Sequence, residues 1–561
     1  MRHIFFIGLP GSGKSTIGRL LARYLGYTLY DVDTLIEKET GERIAAIFAR
    51  HGEDYFRSWE SRLLAKAIQQ DEQCVVVTGG GIVTRAENRA LMAEHGVRVF
   101  LEVEPAEALR RLREQHTAAL LEGATPETRP LLEGPDPLAT LQRLLAQRLA
   151  WYEEAELRCT TEGKSPEQVA QEVAAMLIGS GNVQSTDEMP IVQQIHVGDG
   201  YEAIVEWGGA GRLARYLTPL HLPERVFLIT DSNLAPLYLP SVTTSLQAAG
   251  FDPQSYVVPA GEASKSAGQL NTIYDWLVDL RAERREAMIA FGGGVIGDLV
   301  GFAAATYLRG MPLIHVPTSL LAQVDSAIGG KTGINHKRGK NLIGAFYHPR
   351  LVLADPALLL TLPRRARTEG WAEVVKYGII LDTELFALLE ANAEALRAFS
   401  HPPIALLCQV IARCISLKAA VIEEDEREQG RRAILNYGHT IGHALENVAG
   451  YGEWLHGEAV SLGMVAAARL ALAAGLFSGA ETERQNRLLQ ALGLPTTYQG
   501  PVRAEDILAA IQLDKKVQGK RVRWVLPQHI GEVVVTHLPD ELVRQVITAF
   551  FRDDEWLCSK I

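Results

Sequence analysis

The chain has 561 residues, too many for one ordinary hydrophobic core, so its length favours three or four structural units. Its 47% hydrophobic and 22% charged residues are typical of a globular protein and not of a disordered one. The 56 Lys and Arg residues against 67 Asp and Glu residues give a net charge of −11, which argues against a dedicated binder of nucleic acid or of anionic membranes.

Cysteine usage and the N-terminus indicate a reducing compartment. The five cysteines include no C-x-x-C pair, so neither a disulfide framework nor a thiolate zinc site is expected. Met1 leads directly into an apolar strand, without the basic segment and cleavage site of a signal peptide. The most apolar long run, residues 459–477, contains Arg469 and predicts a buried helix. We therefore expect a cytoplasmic protein with no membrane partner and no nucleic-acid partner.

The chain divides at a short polar segment. Residues 179–190 are rich in small and polar side chains, as flexible linkers are. Residues 1–178 before it have a short α/β pattern, and in residues 191–355 after it strand-like runs alternate with helical ones, which is typical of a parallel sheet. Residues 356–561 are almost wholly helical. Strand-like sequence returns in that part near residues 521–526 and 532–537.

The first predicted strand leads into the sequence GLPGSGKST at residues 8–16, which opens a predicted helix. The sequence matches the phosphate-loop pattern G-x-x-x-x-G-K-[ST], in which backbone N–H groups surround a phosphate, Lys14 adds positive charge and the Ser15 hydroxyl can bind Mg²⁺. The alternative, an ordinary glycine turn with an incidental lysine, explains the strand, loop and helix signals less well. The predicted ATP-binding residues are Gly11, Ser12, Gly13, Lys14, Ser15 and Thr16.

Five further motifs occur in the first unit: DVD at 31–33, FRSWE at 56–60, TGGG at 78–81, RPLL at 129–132, and Arg148 in a helix from Gln147 to Tyr152. On these motifs, residues 1–178 resemble shikimate kinase. The resemblance implies a P-loop kinase fold that uses Mg²⁺ and ATP. It implies shikimate binding by Asp33, Arg57, Gly80 and Arg148, Mg²⁺ binding by Ser15 and Asp31, and a lid arginine, Arg129, that contacts ATP and the transferred phosphoryl group.

These roles agree with the chemistry of the side chains. Two guanidinium groups suit a substrate carboxylate, because each can pair with both of its oxygens. Asp33 could orient the attacking hydroxyl and accept its proton. We therefore expect Lys14, Asp33 and Arg129 to be catalytic. The alternative for this unit is a nucleotide-sensing regulatory domain, which would leave Asp33 and the arginines without a purpose.

In the second unit, polar and glycine-rich loops follow successive predicted strands. They begin at Asp231, at Gly261 and at Phe291, where the sequence is FGGGVIGD. Ligands of open α/β sheets bind at the carboxyl ends of the strands, so these loops predict a nucleotide site. The glycine loop does not match G-x-G-x-x-G, and a tight packing turn is its alternative explanation.

The helical unit contains candidate metal ligands. His439 and His443 lie four residues apart on one predicted helix and His456 follows in a second segment, so the three can reach one pocket. Glu373, three residues before Lys376 on another helix, offers a carboxylate. A set of two histidines and one carboxylate leaves coordination positions open for substrate oxygens.

The motifs AEVVK at 372–376, NYGHTIGH at 436–443 and HGE at 456–458 make residues 191–561 resemble 3-dehydroquinate synthase. The resemblance implies a Rossmann-like α/β NAD-binding domain over 191–355, a helical metal- and substrate-binding domain over 356–561, and a homodimer in which Arg309 reaches the neighbouring subunit. It implies NAD binding by Asp231, Asn233, Glu262, Lys265, Gly294, Val295, Ile296, Gly297, Asp298, Thr318, Ser319, Lys331, Lys340, Leu358 and Thr361. It implies Zn²⁺ or Co²⁺ on Glu373, His439 and His456, and substrate contacts from Asp325, Lys331, Asn341, Lys376, Lys418, Arg432, Asn436, His443 and a lysine of the pair Lys515 and Lys516.

Together the two resemblances predict a fused enzyme of chorismate and aromatic amino acid biosynthesis. One reaction is phosphorylation of shikimate, and the other is conversion of 3-deoxy-D-arabino-heptulosonate 7-phosphate to 3-dehydroquinate. In the second reaction Lys376, Arg432, Asn436 and His443 would be catalytic, with His443 as the proton relay. The alternatives for this larger part are another sugar phosphate cyclase or a polyol dehydrogenase.

Overall fold

The structure is a computed structural model that describes residues 3–25, 27–70, 72–121, 136–180, 192–197, 200–399, 403–428, 430–450, 452–518 and 522–552. It divides into two compact units, one over Met1–Glu188 and the other over Met189–Phe399 and Pro403–Ile561. The boundary predicted within the second unit, at residues 355 and 356, stays a prediction.

A five-stranded parallel sheet is the centre of the first unit. Its strands are short apolar runs, and all residues of the central strands β1 and β3 are buried, as expected for a sheet that is covered on both faces. The spatial order is β2-β3-β1-β4-β5. The strands are β1 (His3–Ile7), β2 (Thr28–Asp31), β3 (Cys74–Val77), β4 (Gly96–Glu102) and β5 (Leu157–Thr160).

In the described residues of this unit, seven helices lie between these strands and an eighth follows β5. Local signals define several of their ends: Asp31 caps the N-terminus of α2 through the backbone N–H of Thr34, and α8 begins with a capping box formed by Ser165 and Gln168. The helices are α1 (Lys14–Leu25), α2 (Val32–Thr40), α3 (Ile44–His51), α4 (Glu53–Ile68), α5 (Ala86–His95), α6 (Pro105–Leu121), α7 (Pro137–Tyr152) and α8 (Pro166–Gly179).

The second unit begins with a seven-stranded sheet in the order β6-β7-β14-β11-β10-β8-β9 and a separate hairpin of β12 and β13. β6 pairs antiparallel with β7, and the other neighbours in the sheet pair in parallel. From β8 the chain adds β9 on one side and β10 on the other, so the strand order reverses between β8 and β10, where open α/β sheets bind ligands. The strands are β6 (Val192–Val197), β7 (Tyr201–Glu206), β8 (Arg225–Asp231), β9 (Asp252–Val258), β10 (Ala287–Gly292), β11 (Leu313–Pro317), β12 (Lys331–His336), β13 (Gly339–Phe346) and β14 (Leu351–Ala354), and the helices are α9 (Leu213–Leu217), α10 (Ala235–Ala248), α11 (Ala267–Asp279) and α12 (Gly294–Thr306).

The remainder of the second unit is helical, apart from one antiparallel pair of strands. The fold class predicted from the sequence is therefore confirmed, with the correction that this part is not all-helical, because the strand-like sequences near its end pair as β15 and β16. Its elements are α13 (Arg364–Ile380), α14 (Thr383–Ala398), α15 (Ile404–Glu424), α16 (His439–Ala449), α17 (His456–Ala473), α18 (Gly479–Ala491), α19 (Ala504–Gln518), β15 (Trp524–His529), β16 (Glu532–Thr536) and α20 (Asp540–Phe551).

Among the described helices, α15 is the one long and apolar enough to cross a membrane. Its apolar window is 61% buried inside the protein, and core helices commonly meet the same criterion. Residues 459–477, which the sequence analysis predicted to form a buried helix, lie mostly in α17. This helix is also largely buried.

Candidate active sites

The phosphate loop of the first unit joins β1 to α1 and requires glycine. Gly8, Gly11 and Gly13 have φ angles of 143°, 83° and 88°, which other residues rarely adopt. A Cβ atom on Gly11 would also lie 2.6 Å from the carbonyl oxygen of Ala108. The loop predicted from the sequence therefore has a backbone shape that depends on these glycines.

Lys14, the first residue of α1, is buried under this loop. Its ammonium group donates to the carbonyl oxygens of Gly8 at 3.0 Å and Leu9 at 2.8 Å. Ser15 and Thr16 follow it and are exposed, so their hydroxyls are open to a ligand. This arrangement can supply one positive charge and two hydroxyls to a bound phosphate.

Two predicted carboxylates follow β2. Asp31 accepts a hydrogen bond from the backbone N–H of Thr34 at 3.3 Å and so caps α2. Asp33 lies beside the glycine turn at residues 79–81, since a Cβ atom on Gly79 would be 3.0 Å from its Oδ1. Asp33 thus faces the turn that follows β3.

Arg57 is buried against the same turn and is paired with acidic residues. Its guanidinium donates to Glu60 Oε2 at 2.6 Å and to Glu53 Oε1 at 2.8 Å. A Cβ atom on Gly81 would come within 2.2 Å of the guanidinium. Glu60 is fully buried, and burial, partly offset by Arg57, raises its pKa to about 7.

Arg148 and Tyr152, one turn apart on α7, both donate to the carbonyl oxygen of Gly80, at 2.9 Å and 2.7 Å. Gly80 in turn lies next to the phosphate loop, because a Cβ atom on it would be 3.1 Å from the carbonyl oxygen of Gly8. The four residues predicted to bind shikimate are therefore brought together beside the loop. Arg129, the predicted lid arginine, lies outside the described residues.

In the second unit, Glu373, His439 and His456 converge from three helices. The Nε2 atoms of both histidines lie 3.5 Å from Glu373 Oε1. Glu373 is fully buried and forms an ion pair with Lys376, yet among the described residues its carboxylate accepts no hydrogen bond. A buried carboxylate without such a bond, faced by two imidazole nitrogens, fits a divalent cation.

Close helix packing places these ligands. A Cβ atom on Gly463 of α17 would lie 1.9 Å from the carbonyl oxygen of Gly438, which precedes α16. A Cβ atom on Gly457 would lie 2.0 Å from the carbonyl oxygen of Glu369 in α13. The three helices can therefore approach each other only because these positions are glycine.

The Nδ1 atoms of both histidines already have hydrogen-bond acceptors. His439 Nδ1 donates to the carbonyl oxygen of Tyr437 at 3.1 Å, and His456 Nδ1 donates to Glu446 Oε2 at 3.1 Å. Each Nε2 is thereby directed toward Glu373. Burial alone would lower the pKa of His456, but its two carboxylate neighbours raise that pKa to about 10.

His443 lies next to this set but is not one of the three residues, Glu373, His439 and His456, whose ligand atoms all lie within 4.8 Å of one another. Its ring centre is 5.2 Å from that of His439 and 5.9 Å from that of His456, and the side chain is exposed. The surrounding protein and the nearby His456 lower its pKa. The exclusion of His443 from the metal ligands stays a prediction.

A group of charged side chains, of which Lys376 and Lys418 are buried, adjoins Glu373. Asp325 Oδ1 accepts hydrogen bonds from Lys418 Nζ and from the Tyr377 hydroxyl, both at 2.8 Å. Asp325 lies in the π-helical turn Ala322–Ser326, a conformation often found at functional sites. Although burial acts in the opposite direction, Lys418 and Lys376 lower the pKa of Asp325. Burial likewise acts on the two lysines: it lowers the pKa of Lys418, whereas Glu373 and Asp325 outweigh it at Lys376 and raise the pKa of that lysine.

Arg432 and Asn436 lie close to a residue that the sequence analysis did not single out, Glu428. Glu428 accepts from Asn436 Nδ2 at 2.7 Å and from Lys331 Nζ at 2.5 Å. Arg432 is 1% exposed and donates to the carbonyl oxygen of Gly329 at 3.3 Å. Among the described residues, its Nε has no acceptor, so Arg432 retains a donor for a ligand. The side chains of Lys515 and Lys516 lie outside the described part of the chain.

The predicted nucleotide residues lie at the carboxyl ends of the strands. Asp231 ends β8, and its Oδ1 accepts from the backbone N–H of Asn233 at 2.9 Å. Gly294 is the first residue of α12, which follows β10. The space beside Gly293 is open, because the nearest atom to a Cβ placed there would be Ser319 Oγ at 3.6 Å. This open backbone at a helix N-terminus fits a pyrophosphate. Val295, Ile296 and Gly297 lie in the same first turn.

Lys265, which is buried, links several of the other predicted residues. Its ammonium pairs with Asp298 and donates to the side-chain oxygen of Asn341. Glu262 accepts from Asn335 Nδ2 at 2.7 Å. Three more predicted residues lie on later loops: Thr318 is buried after β11, Leu358 is buried after β14, and Thr361 is hydrogen bonded to Tyr238.

Four residues with close contacts to these sites were not assigned roles from the sequence: Glu60, Tyr377, Glu428 and Glu446. Glu60 and Tyr377 carried a usable signal, because they lie within four residues of Arg57 and Glu373 on the same helices. Glu428 and Glu446 have one partner 8 and 10 residues away, Asn436 and His456, which is not a helical spacing, and one distant lysine each, so no local spacing indicated them.

Comparison with known proteins identifies relatives of both units. The family model described as shikimate kinase matches residues 10–178. The models described as 3-dehydroquinate synthase N-terminal and C-terminal match residues 255–369 and 370–517.

Individual proteins agree with the family models. The 3-dehydroquinate synthase of Nostoc punctiforme is 49% identical over 348 residues, which are 62% of this chain and 96% of that protein. The 3-dehydroquinate synthase of Desulforamulus reducens is 50% identical over 322 residues, 57% of this chain and 89% of that protein. Among solved structures, 2-epi-5-epi-valiolone synthase from Streptomyces hygroscopicus subsp. jinggangensis, with NAD+ and Zn²⁺ bound, is 28% identical at a TM-score of 0.58 and covers 63% of this chain and 98% of its own.

Proposed function

Because this chain belongs to the 3-dehydroquinate synthase family and carries a shikimate kinase domain over residues 10–178, we propose that it catalyses two reactions of the shikimate pathway. The first is transfer of a phosphoryl group from ATP to shikimate, giving shikimate 3-phosphate. The second is conversion of 3-deoxy-D-arabino-heptulosonate 7-phosphate to 3-dehydroquinate with release of phosphate.

One observation supports the proposed kinase reaction. Gly80 contacts both a residue predicted to bind shikimate and the phosphate loop. It accepts from Arg148 and packs against Gly8. In the proposed reaction Arg57 and Arg148 bind the shikimate carboxylate, and Asp33 takes the proton of the attacking hydroxyl. Lys14 neutralises charge on the transferred phosphoryl group. Ser15 and Asp31 would hold Mg²⁺, and Arg129 would close over the ATP.

The proposed synthase reaction is supported by several cationic side chains near Glu373. Lys376, Lys418 and Arg432 are each buried, and Lys331 donates to Glu428, which also accepts from Asn436. Cations in that number suit a substrate that carries both a carboxylate and a phosphate. We propose that Glu373, His439 and His456 hold Zn²⁺ or Co²⁺, and that the loops ending β8 and β10 hold NAD. When bound, NAD supplies hydride chemistry at a ring alcohol and the metal polarises its oxygen.

The chain's own residues then control the protons and the leaving group. Lys376 and Asn436 orient the hydroxyls of the sugar, while Arg432 and Lys331 hold the anionic ends. The departing phosphate can itself accept the proton from the neighbouring carbon, so no strong protein base is required. His443, which is exposed next to the histidine ligands, relays protons to the ring oxygen.

A paired assay on the purified chain tests both reactions. The proposal predicts shikimate-dependent formation of ADP, and release of phosphate from the heptulosonate phosphate without net NADH. Steady accumulation of NADH absorbance would instead identify a polyol dehydrogenase. Phosphate release only from a different sugar phosphate would identify another cyclase. ATP binding without shikimate-dependent ADP would identify a nucleotide-sensing domain.

We also propose that the synthase part forms a homodimer in the cytoplasm. Leu342 and Phe346 on β13 and Leu308 are large apolar residues that are 63%, 48% and 44% exposed. Leu308 and Arg309 both have positive φ angles, 49° and 63°, which stores strain in an exposed loop. A partner subunit would cover the apolar residues and use Arg309. Leu342→Ser should produce monomers in analytical ultracentrifugation if this is correct, and an unchanged dimer would contradict it.

A further inference from the structure

Glu446 occupies a bridging position on α16. Its Oε2 accepts a hydrogen bond from His456 Nδ1 at 3.1 Å, and its Oε1 accepts one from Lys340 Nζ at 2.9 Å. The side chain is 6% exposed, so the charged group is retained inside the protein. Burying a carboxylate has a free-energy cost, and here that cost is offset by two specific partners.

The two histidines beside Glu373 are not held alike. The Nδ1 atom of His439 faces the neutral carbonyl oxygen of Tyr437, whereas that of His456 faces a carboxylate. A carboxylate fixes the tautomer and the orientation of an imidazole, and it makes the opposite nitrogen a stronger donor to a metal. His456 is therefore the histidine whose donor strength depends on a second charged group.

Lys340 determines which role that carboxylate can have. Glu446, His443 and His456 also have ligand atoms within 4.8 Å of one another, so on spacing alone they could form a second cation site. However, the Lys340 ammonium already occupies one oxygen of Glu446, and a second cation there would have to displace it. The charges favour Glu446 as a hydrogen-bond acceptor and not as a ligand.

We propose that Glu446 is a positioning residue, which orients His456 toward the metal and is itself kept out of the coordination sphere by Lys340. This inference rests on the proposed metal site at Glu373, His439 and His456. It adds a determinant of metal affinity that touches neither metal nor substrate, and it connects the metal site to the β13 hairpin that carries Lys340.

Metal affinity of the full chain tests the inference. Wild type, Glu446→Gln and Glu446→Asp would be stripped of metal and titrated with Zn²⁺ in competition with a chromophoric chelator. Glu286→Gln is the matched control, because Glu286 is also buried and paired with an arginine, but in the β10 region. We expect a loss of affinity of about 10–100-fold in Glu446→Gln, partial recovery in Glu446→Asp and less than about a 3-fold change in the control.

The visible spectrum of the Co²⁺-loaded protein supplies a readout that a general loss of stability would not move. Its band positions should shift in Glu446→Gln and stay constant in Glu286→Gln, while every variant binds one Co²⁺ at this site. Unchanged affinity and an unchanged spectrum in Glu446→Gln would overturn the inference. Binding of two metal ions by wild type and one by Glu446→Gln would also overturn it, because Glu446 would then be a metal ligand. If wild type itself binds no metal, the proposed function fails, and that outcome is distinct.

Discussion

Lys418 donates to Asp325 twice, to its backbone carbonyl oxygen at 2.7 Å and to its carboxylate at 2.8 Å. The aspartate thus holds the lysine from two directions, and the π-helical turn that carries Asp325 is fixed to α15. Since Lys376 also lies in this charged group, the relationship sets the position of positive charge in the synthase pocket.

Asp325→Asn should therefore weaken the synthase and spare the kinase. Without the carboxylate, Lys418 loses its charged partner, and the free energy of unfolding of the synthase unit should fall by about 2 kcal/mol. We expect kcat/KM for the heptulosonate phosphate to fall by at least about 100-fold, as measured by phosphate release. Equal loss of shikimate kinase activity would contradict this account.

Lys14→Ala should separate the two activities in the opposite direction. The buried ammonium beside Gly8 would be absent, so charge on the transferred phosphoryl group would lose its nearest cation, and kinase kcat should fall by about 100- to 1,000-fold. Coupled assays on one preparation would check this. The synthase rate of the same sample is the control, and its loss would show that the sites are not independent.

Metal removal should affect only the synthase. Dialysis against a strong chelator should abolish phosphate release from the heptulosonate phosphate, and Zn²⁺ or Co²⁺ should restore it. His456→Ala should prevent that restoration, since one of three ligands is missing. Kinase activity with added Mg²⁺ should be the same before and after treatment. A synthase that remains active without metal would refute the site.

The pKa of Glu60, raised to about 7 by burial, predicts a pH effect on shikimate binding. Above pH 7 Glu60 is ionised, competes for Arg57 and repels the shikimate carboxylate. Below pH 7 Glu60 is protonated, so Arg57 loses one of its two ionised partners and keeps only Glu53. The KM for shikimate should therefore rise several-fold between pH 6 and pH 8. In Glu60→Gln this rise should disappear, and an identical profile in both proteins would rule out Glu60 as the cause.

Gly463→Ala should disturb the metal site through packing. The added Cβ atom would lie 1.9 Å from the carbonyl oxygen of Gly438, so α16 and α17 must separate, at a cost of about 1–3 kcal/mol. We expect a lower melting temperature of the synthase unit and weaker Zn²⁺ binding. Gly479→Ala is the matched control, because nothing lies within 4 Å of a Cβ atom there, and it should behave as wild type.

Sequence reasoning worked where chemistry is local. The phosphate loop is one uninterrupted run whose glycines, lysine and hydroxyl are adjacent in the chain. Each predicted metal ligand lies in a distinctive motif, and the structure brings Glu373, His439 and His456 together, while their role as ligands stays a prediction. Setting His443 aside rested on a family resemblance. Parallel strands were predictable from short apolar runs alternating with helices.

Hydrogen bonds between residues that are far apart in the chain could not be predicted from the sequence. Glu446 lies in α16 and its partner Lys340 is on β13, more than a hundred residues earlier, so neither periodicity nor spacing links them. Glu428 and Lys331, 97 residues apart, are likewise not linked by periodicity or spacing. Such pairs depend on which helix packs on which loop, and that is set by close approaches such as the one at Gly457.

His439 and His456 are each the first residue of their helix, α16 and α17. The positions of both imidazoles are therefore set at the N-termini of these helices. Residues inserted or deleted at the C-terminal ends, near Gly450 and Ala474, would not move either imidazole. Relatives with shorter or longer versions of these two helices should conserve an identical arrangement of metal ligands. Length variation in this region is thus compatible with constant chemistry.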